Sequence, residues 1–139
     1  MREIYRSDYN VIAVDDERRL VRRTRTALPY PSFAEIGDIM EEMMRALGTL
    51  DRARHVQLAD VRLGPPRNDA AFEQFIAPFT QQLYRGFRRC AILVKTHAGR
   101  LQFTRILNHG GYEHVQVHLD EVTAMAWLLS PSIPPRPPR

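Results

Sequence analysis

Two stretches of the chain gather side chains able to do chemistry. Asp60, Arg62 and Arg67 follow one apolar run, and Lys95, Thr96, His97 and Arg100 follow another. Both runs read as strands, and in open α/β sheets ligands bind beyond the carboxyl ends of strands. Free amides at the start of a helix from His97 would add positive potential there. Such a rim suits a phosphate, a nucleotide or a partner's carboxylate. The plainer alternative is loop chemistry, with Thr96 capping the helix and Arg62 paired to Asp60 or Asp69.

The catalytic signatures are absent. There is no G-x-S-x-G, no Walker loop and no G-x-G-x-x-G. The one cysteine, Cys90, sits inside an apolar run and reads as a small core residue. His55, His97, His109, His114 and His118 have no metal-ligand spacing. Alternation in a strand would put His114 and His118 on one face, too far apart to share an ion. The sequence therefore predicts no enzyme, no cofactor and no metal. Phe72, Phe75, Phe79, Phe87, Met40 and Met43 could line a lipid cavity, but a domain this short needs them as core.

These residues need elements to hold them. Val11–Val14, a polar turn at Asp15–Arg19, and Leu20–Thr26 make a β-hairpin. Ile4–Tyr9 extends its first strand or pairs beside it. Arg18, Arg19, Arg22, Arg23 and Arg25 read as a solvated strand face that blunts a sheet edge. No aromatic platform is interleaved with them, which argues against nucleic-acid binding. Ser32 and Glu35 match a capping box before a helix with Ile36, Ile39, Met40, Met43, Leu47 and Leu50 on one stripe.

Strand His55–Val61 follows, then a Gly-Pro-Pro loop and a helix capped by Asn68 or Asp69. Pro78 predicts a kink or break within that helix. Cys90–Val94 is apolar on both faces and reads as a central strand. The next helix offers Leu101, Phe103, Ile106 and Leu107 for burial and stops at Gly110-Gly111. His114–Leu119 is the last strand, and Asp120 caps the last helix.

The fold class is thus α/β: a mixed, mostly parallel sheet with an N-terminal antiparallel hairpin and about four helices. At 139 residues the chain fits one domain, over residues 1–129. Residues 130–139 hold half of its ten prolines and are expected to form a disordered or polyproline tail. The P-x-x-P-x-R pattern in that tail is a low-complexity match. No apolar run is long enough to insert in a membrane, and the N-terminus carries no apolar leader. The single cysteine fits a reducing, cytoplasmic compartment.

Three features resemble the SpoIIAA-like, or STAS, family. They are the strand ending in Leu58-Ala59-Asp60-Val61-Arg62 with its loop and helix, the central strand Cys90–Val94 with its short helix, and the closing Val117–Leu128. The resemblance covers about residues 9 to 129. It implies a single STAS-like domain acting as a non-enzymatic protein-interaction or regulatory module in bacterial signalling. It also implies a partner protein, and the strand-end residues Asp60, Arg62, Arg67, Thr96, His97 and Arg100 are where one would dock. Self-association would use the hairpin edge. The antagonists of that family carry a phosphoacceptor Ser or Thr in the loop that matches Asp60–Ala70, and this chain has neither there. The phosphorylation switch is therefore not expected. The alternative is a sensor of a small anionic or apolar ligand at the same rim.

Overall fold

Alternation sets the first strands. In the computed structural model, which describes residues 1–67, 69–108 and 111–131, β2 (Asn10–Asp15) buries Asn10, Ile12 and Val14 on one face. It pairs antiparallel with β3 (Leu20–Arg25) from Asp15↔Leu20 to Asn10↔Arg25. The turn between them is closed by Asp15, whose carboxylate accepts from the Arg18 amide, and by Arg19 in the left-handed region at φ 51°. β1 (Arg2–Arg6) pairs antiparallel on the outer side of β2, with an irregularity between Glu3 and Tyr5. The hairpin is therefore not the sheet edge. β1 is, and β3 lies inside.

From β3 onward pairing is parallel. β4 (Val56–Asp60), β5 (Arg89–Leu93) and β6 (Val115–His118) add in chain order, giving a six-stranded sheet β1-β2-β3-β4-β5-β6. Helices α1 (Phe33–Leu47), α2 (Ala70–Tyr84) and α3 (His97–Leu107) make the crossovers. They pack on one face, over Ile12, Val14, Val21, Ala59, Cys90, Ile92 and Val115. α4 (Glu121–Leu128) covers the other face, where Ala124 and Leu128 meet Leu20, Val56, Leu58, Ala91 and Leu93. Each helix starts at a side-chain cap: Ser32, Asp69, Thr96 and Asp120 accept from the amides of Glu35, Phe72, Gly99 and Thr123.

Several expectations need correction. The β3 arginines are not one solvated face, because Arg23 and Arg25 point into the helix layer and are buried. Pro78 lies inside α2 without ending it. Gln74 and Pro78 are both exposed, so water can serve the Gln74 carbonyl that loses its donor. No residue of α3 is buried; Phe103, Ile106 and Leu107 are half-buried and Leu101 is 70% exposed. Leu50 falls beyond the end of α1 and is half-buried. His114 and His118 do not share a face: His114 Nε2 meets the Tyr84 carbonyl oxygen at 2.8 Å, while His118 lies against Trp127 of α4.

Met40, Met43 and Phe87 are core, and Phe72, Phe75 and Phe79 pack half-buried against it, so they fill the helix layer. Cys90 is fully buried. Asn68, His109, Gly110 and the tail from residue 132 lie outside the described residues, and with them the expected stop at Gly110, the alternative cap at Asn68 and the polyproline tail.

Candidate functional site

Because β3 to β6 run parallel, their carboxyl ends gather at one rim, and the chain leaves each there for α1, α2, α3 and α4 in turn. The six residues expected to act together all reach this rim, but they fall into three environments.

The first is an ion network on the α4 face. Asp60, the last residue of β4, is buried. Its Oδ2 accepts from Arg22 Nη2 at 2.9 Å and from Arg62 Nη2 at 2.8 Å, and its Oδ1 from Arg62 Nε at 3.0 Å. Both arginines also reach Glu121 Oε1 in the first turn of α4, at 2.8 Å and 3.2 Å. Two guanidinium groups thus meet two carboxylates. The charges balance, which leaves this cluster little pull on an outside anion. Arg62 therefore pairs with Asp60, one of its two expected partners. Arg22 and Glu121 are participants that sequence reasoning missed; they lie far from Asp60 in the chain, and only the sheet register and the return of α4 bring them in.

Burial pushes the Asp60 carboxyl up, but the hydrogen bonds from Arg62 and the charges of Arg62 and Arg22 outweigh it and hold the group below the usual carboxylate range. A carboxyl depressed in the folded state contributes stability that is full above its unfolded pKa, about 3.9. That contribution is lost as pH falls through the lower folded value. Asp60→Asn is therefore expected to lose stability near neutral pH and to show a shallower decline below about pH 4 than the wild type. Urea titrations at a series of pH values measure this; parallel acid limbs would show that Asp60 carries no such linkage.

The second environment lies between α1 and α2. Arg67 Nε donates to Asp69 Oδ1 at 2.9 Å, and its guanidinium lies 4.6 Å from the Phe72 ring centre and 5.1 Å from that of Phe33. Gln102 of α3 donates to the Arg67 carbonyl oxygen and to Glu73, tying α3 to this loop.

The third is the start of α3. Thr96 Oγ1 accepts from the Gly99 amide at 3.0 Å, so this hydroxyl is committed as a cap. Lys95, His97 and Arg100 are exposed, and among the described residues none of them forms an ion pair.

The rim also carries apolar side chains that sequence reasoning left out. Leu28 in the loop after β3, Leu63 after β4, Leu101 in α3 and Val122 in α4 are 46%, 62%, 70% and 77% exposed. Among the described residues these are four of the six large exposed apolar side chains, the others being Met1 and Leu129. Their signal was available: Leu63 sits in a Gly-Pro-Pro loop, where no core position is expected.

Beneath the rim, the helix-facing side of β3 and β4 holds a second polar group that the sequence hid. Arg23 donates from Nε to Gln57 Oε1 at 3.0 Å and from Nη2 to the Tyr84 hydroxyl at 2.8 Å. Gln57 Nε2 donates to the Leu83 carbonyl oxygen at 2.9 Å. All three side chains are buried, and no carboxylate pairs with Arg23 among the described residues. Cys90 lies alongside, where burial pushes its thiol up to about 12. A thiol so protonated is a poor nucleophile. Among the described residues no group of three or more His, Cys, Asp or Glu is placed to hold a metal ion, and no helix is long and apolar enough to cross a membrane.

No family model matches the chain, and no curated protein matches its sequence. Among solved structures, it is similar to an uncharacterized protein of the DUF3478 family from Shewanella loihica PV-4, described as having a SpoIIAA-like fold. The match has a TM-score of 0.58 and 14% identity, over 89% of this chain and 98% of that one. The architecture built above is thus SpoIIAA-like.

Proposed function

We propose that this SpoIIAA-like domain is a non-enzymatic interaction or regulatory module that docks a partner protein on the carboxyl rim of its parallel strands. The observation that carries the reading is that each of the four strand exits at this rim carries an exposed apolar side chain. The rim exits of β3 to β6 are adjacent, within about 15 Å at ordinary strand spacing. Leu28, Leu63, Leu101 and Val122 come one from each exit. Exposed apolar groups that gather at one place, rimmed by polar residues, mark interaction surfaces. Lys95, His97 and Arg100 beside them favour a partner surface that is acidic around an apolar centre. The Asp60–Arg62–Arg22–Glu121 network serves as scaffold, fixing the start of α4 against β3 and β4.

The same geometry counts against chemistry at the rim. Asp60 is held by two arginines, Thr96 by a helix amide, and Cys90 lies buried near the amino end of β5, away from the rim.

Capture on the immobilised full chain tests this. The doubly substituted Leu63→Glu, Leu101→Glu chain is expected to lose the partner retained by wild type while its thermal midpoint stays within a few degrees, since both positions are exposed. Retention of the same partner by both chains would sink the rim reading. A rise in midpoint with a nucleotide, phosphate or fatty acid would favour the sensor alternative instead.

A further inference from the structure

The two edges of the sheet are built differently. β1 presents Arg2, Glu3 and Arg6, carries an irregularity in its pairing, and holds its charges in the pairs Arg2–Asp16 and Arg6–Glu3. Charged side chains and bulges are the devices that keep an edge strand from pairing further. β6 has neither. Its residues are Val115, Gln116, Val117 and His118, and its register with β5 runs unbroken from Cys90↔Val115 to Leu93↔His118.

The outer side of β6 is also accessible. Cys90 and Val94 donate their amides to the carbonyl oxygens of His114 and His118. In a parallel ladder, residues of that parity turn their main chain toward β5, so Val115 and Val117 turn theirs outward. The Val115 amide is taken by the Tyr112 carbonyl oxygen at 3.0 Å. Among the described residues, the Val117 amide and the Val115 carbonyl oxygen have no partner and face out. Beside them runs an open groove of about 580 Å³, between β6 and α3, which Thr104 and Tyr112 help to line.

The charges on this groove are arranged end to end. Arg100 lines it at the carboxyl end of β6, and Glu113 lines it at the amino end. Among the described residues neither forms an ion pair. A two-fold axis through an antiparallel strand pair sets each carboxyl end against the other's amino end. The surface is therefore self-complementary.

We infer that a second copy of this chain adds its β6 antiparallel to this one, about a two-fold axis at Gln116, with Arg100 facing the partner's Glu113. The Val117 amide then donates to the carbonyl oxygen of the partner's Val115, and the symmetry repeats both contacts. Self-association moves from the hairpin, where the sequence placed it, to the opposite edge. This inference shares Arg100 with the rim reading but not its apolar residues: the groove runs along β6, and Leu63 and Leu101 do not line it.

Sedimentation of the full chain decides it. Wild type is expected to dimerise with rising concentration. Arg100→Glu sets like charges together twice and is expected to raise the dimer dissociation constant about tenfold or more. Adding Glu113→Arg to that variant is expected to restore the dimer. Val117→Pro removes only an outward donor and is expected to leave a monomer; should that variant fail to fold, the charge-reversal pair still decides. Leu63→Glu, Leu101→Glu is expected to dimerise like wild type. A chain that stays monomeric at every concentration overturns the inference, as does a dimer that Arg100→Glu leaves unchanged.

Discussion

Gln57→Leu is expected to destabilise the chain by about 3 kcal/mol, although leucine suits the strand and nearly matches the volume. The loss comes from what stays behind. Arg23 Nε loses its acceptor and the Leu83 carbonyl oxygen loses its donor, both inside the helix layer. Each unmade bond at a buried group costs about 1–3 kcal/mol. Arg23 is 5% exposed, so water cannot freely take the vacated place. Arg23→Met with Gln57→Leu removes the charge together with its partner and is expected to cost less than the sum of the single changes, by about 1–3 kcal/mol. Urea unfolding followed by far-ultraviolet circular dichroism measures all three. A single-variant loss under about 1 kcal/mol would mean that the guanidinium is solvated and the network holds nothing.

The same network shows where sequence reasoning reached its end. What is local was legible. Ser32, Asp69, Thr96 and Asp120 each cap a helix by accepting from the amide three residues ahead, and a short polar side chain before an apolar period is enough to see that. The order of elements was legible too, and with it the rim where the parallel strands end. Non-local partners were not. Arg22 meets Glu121 across 99 residues, and Arg62 meets it across 59. No spacing rule reaches that far.

Arg23 and Arg25 read as exposed because charged side chains are rarely fully buried. They are buried here because β3 is an inner strand and each guanidinium finds neutral company: Gln57 and Tyr84 for one, the Tyr9 and Thr26 carbonyl oxygens and the Tyr30 ring for the other. Leu101 failed for the opposite reason. Its spacing fits a helix period, but a period says only that a helix has a face. It does not say that a neighbouring layer exists to meet every apolar member of that face. α3 crosses to the last strand of the sheet, with no further strand beyond it among the described residues.

That contrast sets the other large prediction. Leu128→Ala is expected to cost about 3–4 kcal/mol, against about 0.5 kcal/mol or less for Leu101→Ala. α4 has eight residues, too few for a helix to persist alone in water. It stays because Ala124 and Leu128 close the sheet face over Val56, Leu58, Ala91 and Leu93. Its ends are pinned by arginines of the strands and of the loop after β4. Glu121 takes Arg22 and Arg62 at the first turn, and Arg89 donates to the Trp127 carbonyl oxygen at 2.7 Å at the last. An anion at the start and a cation at the end both suit the helix dipole. Those polar contacts orient the helix, but half-exposed ion pairs contribute little stability. The apolar contact must therefore dominate, and Leu128, fully buried, is its largest piece on α4. Denaturant unfolding of the two alanine variants compares them directly. Equal losses would show that α4 is held mainly by its pinned ends and that the second sheet face is not a core.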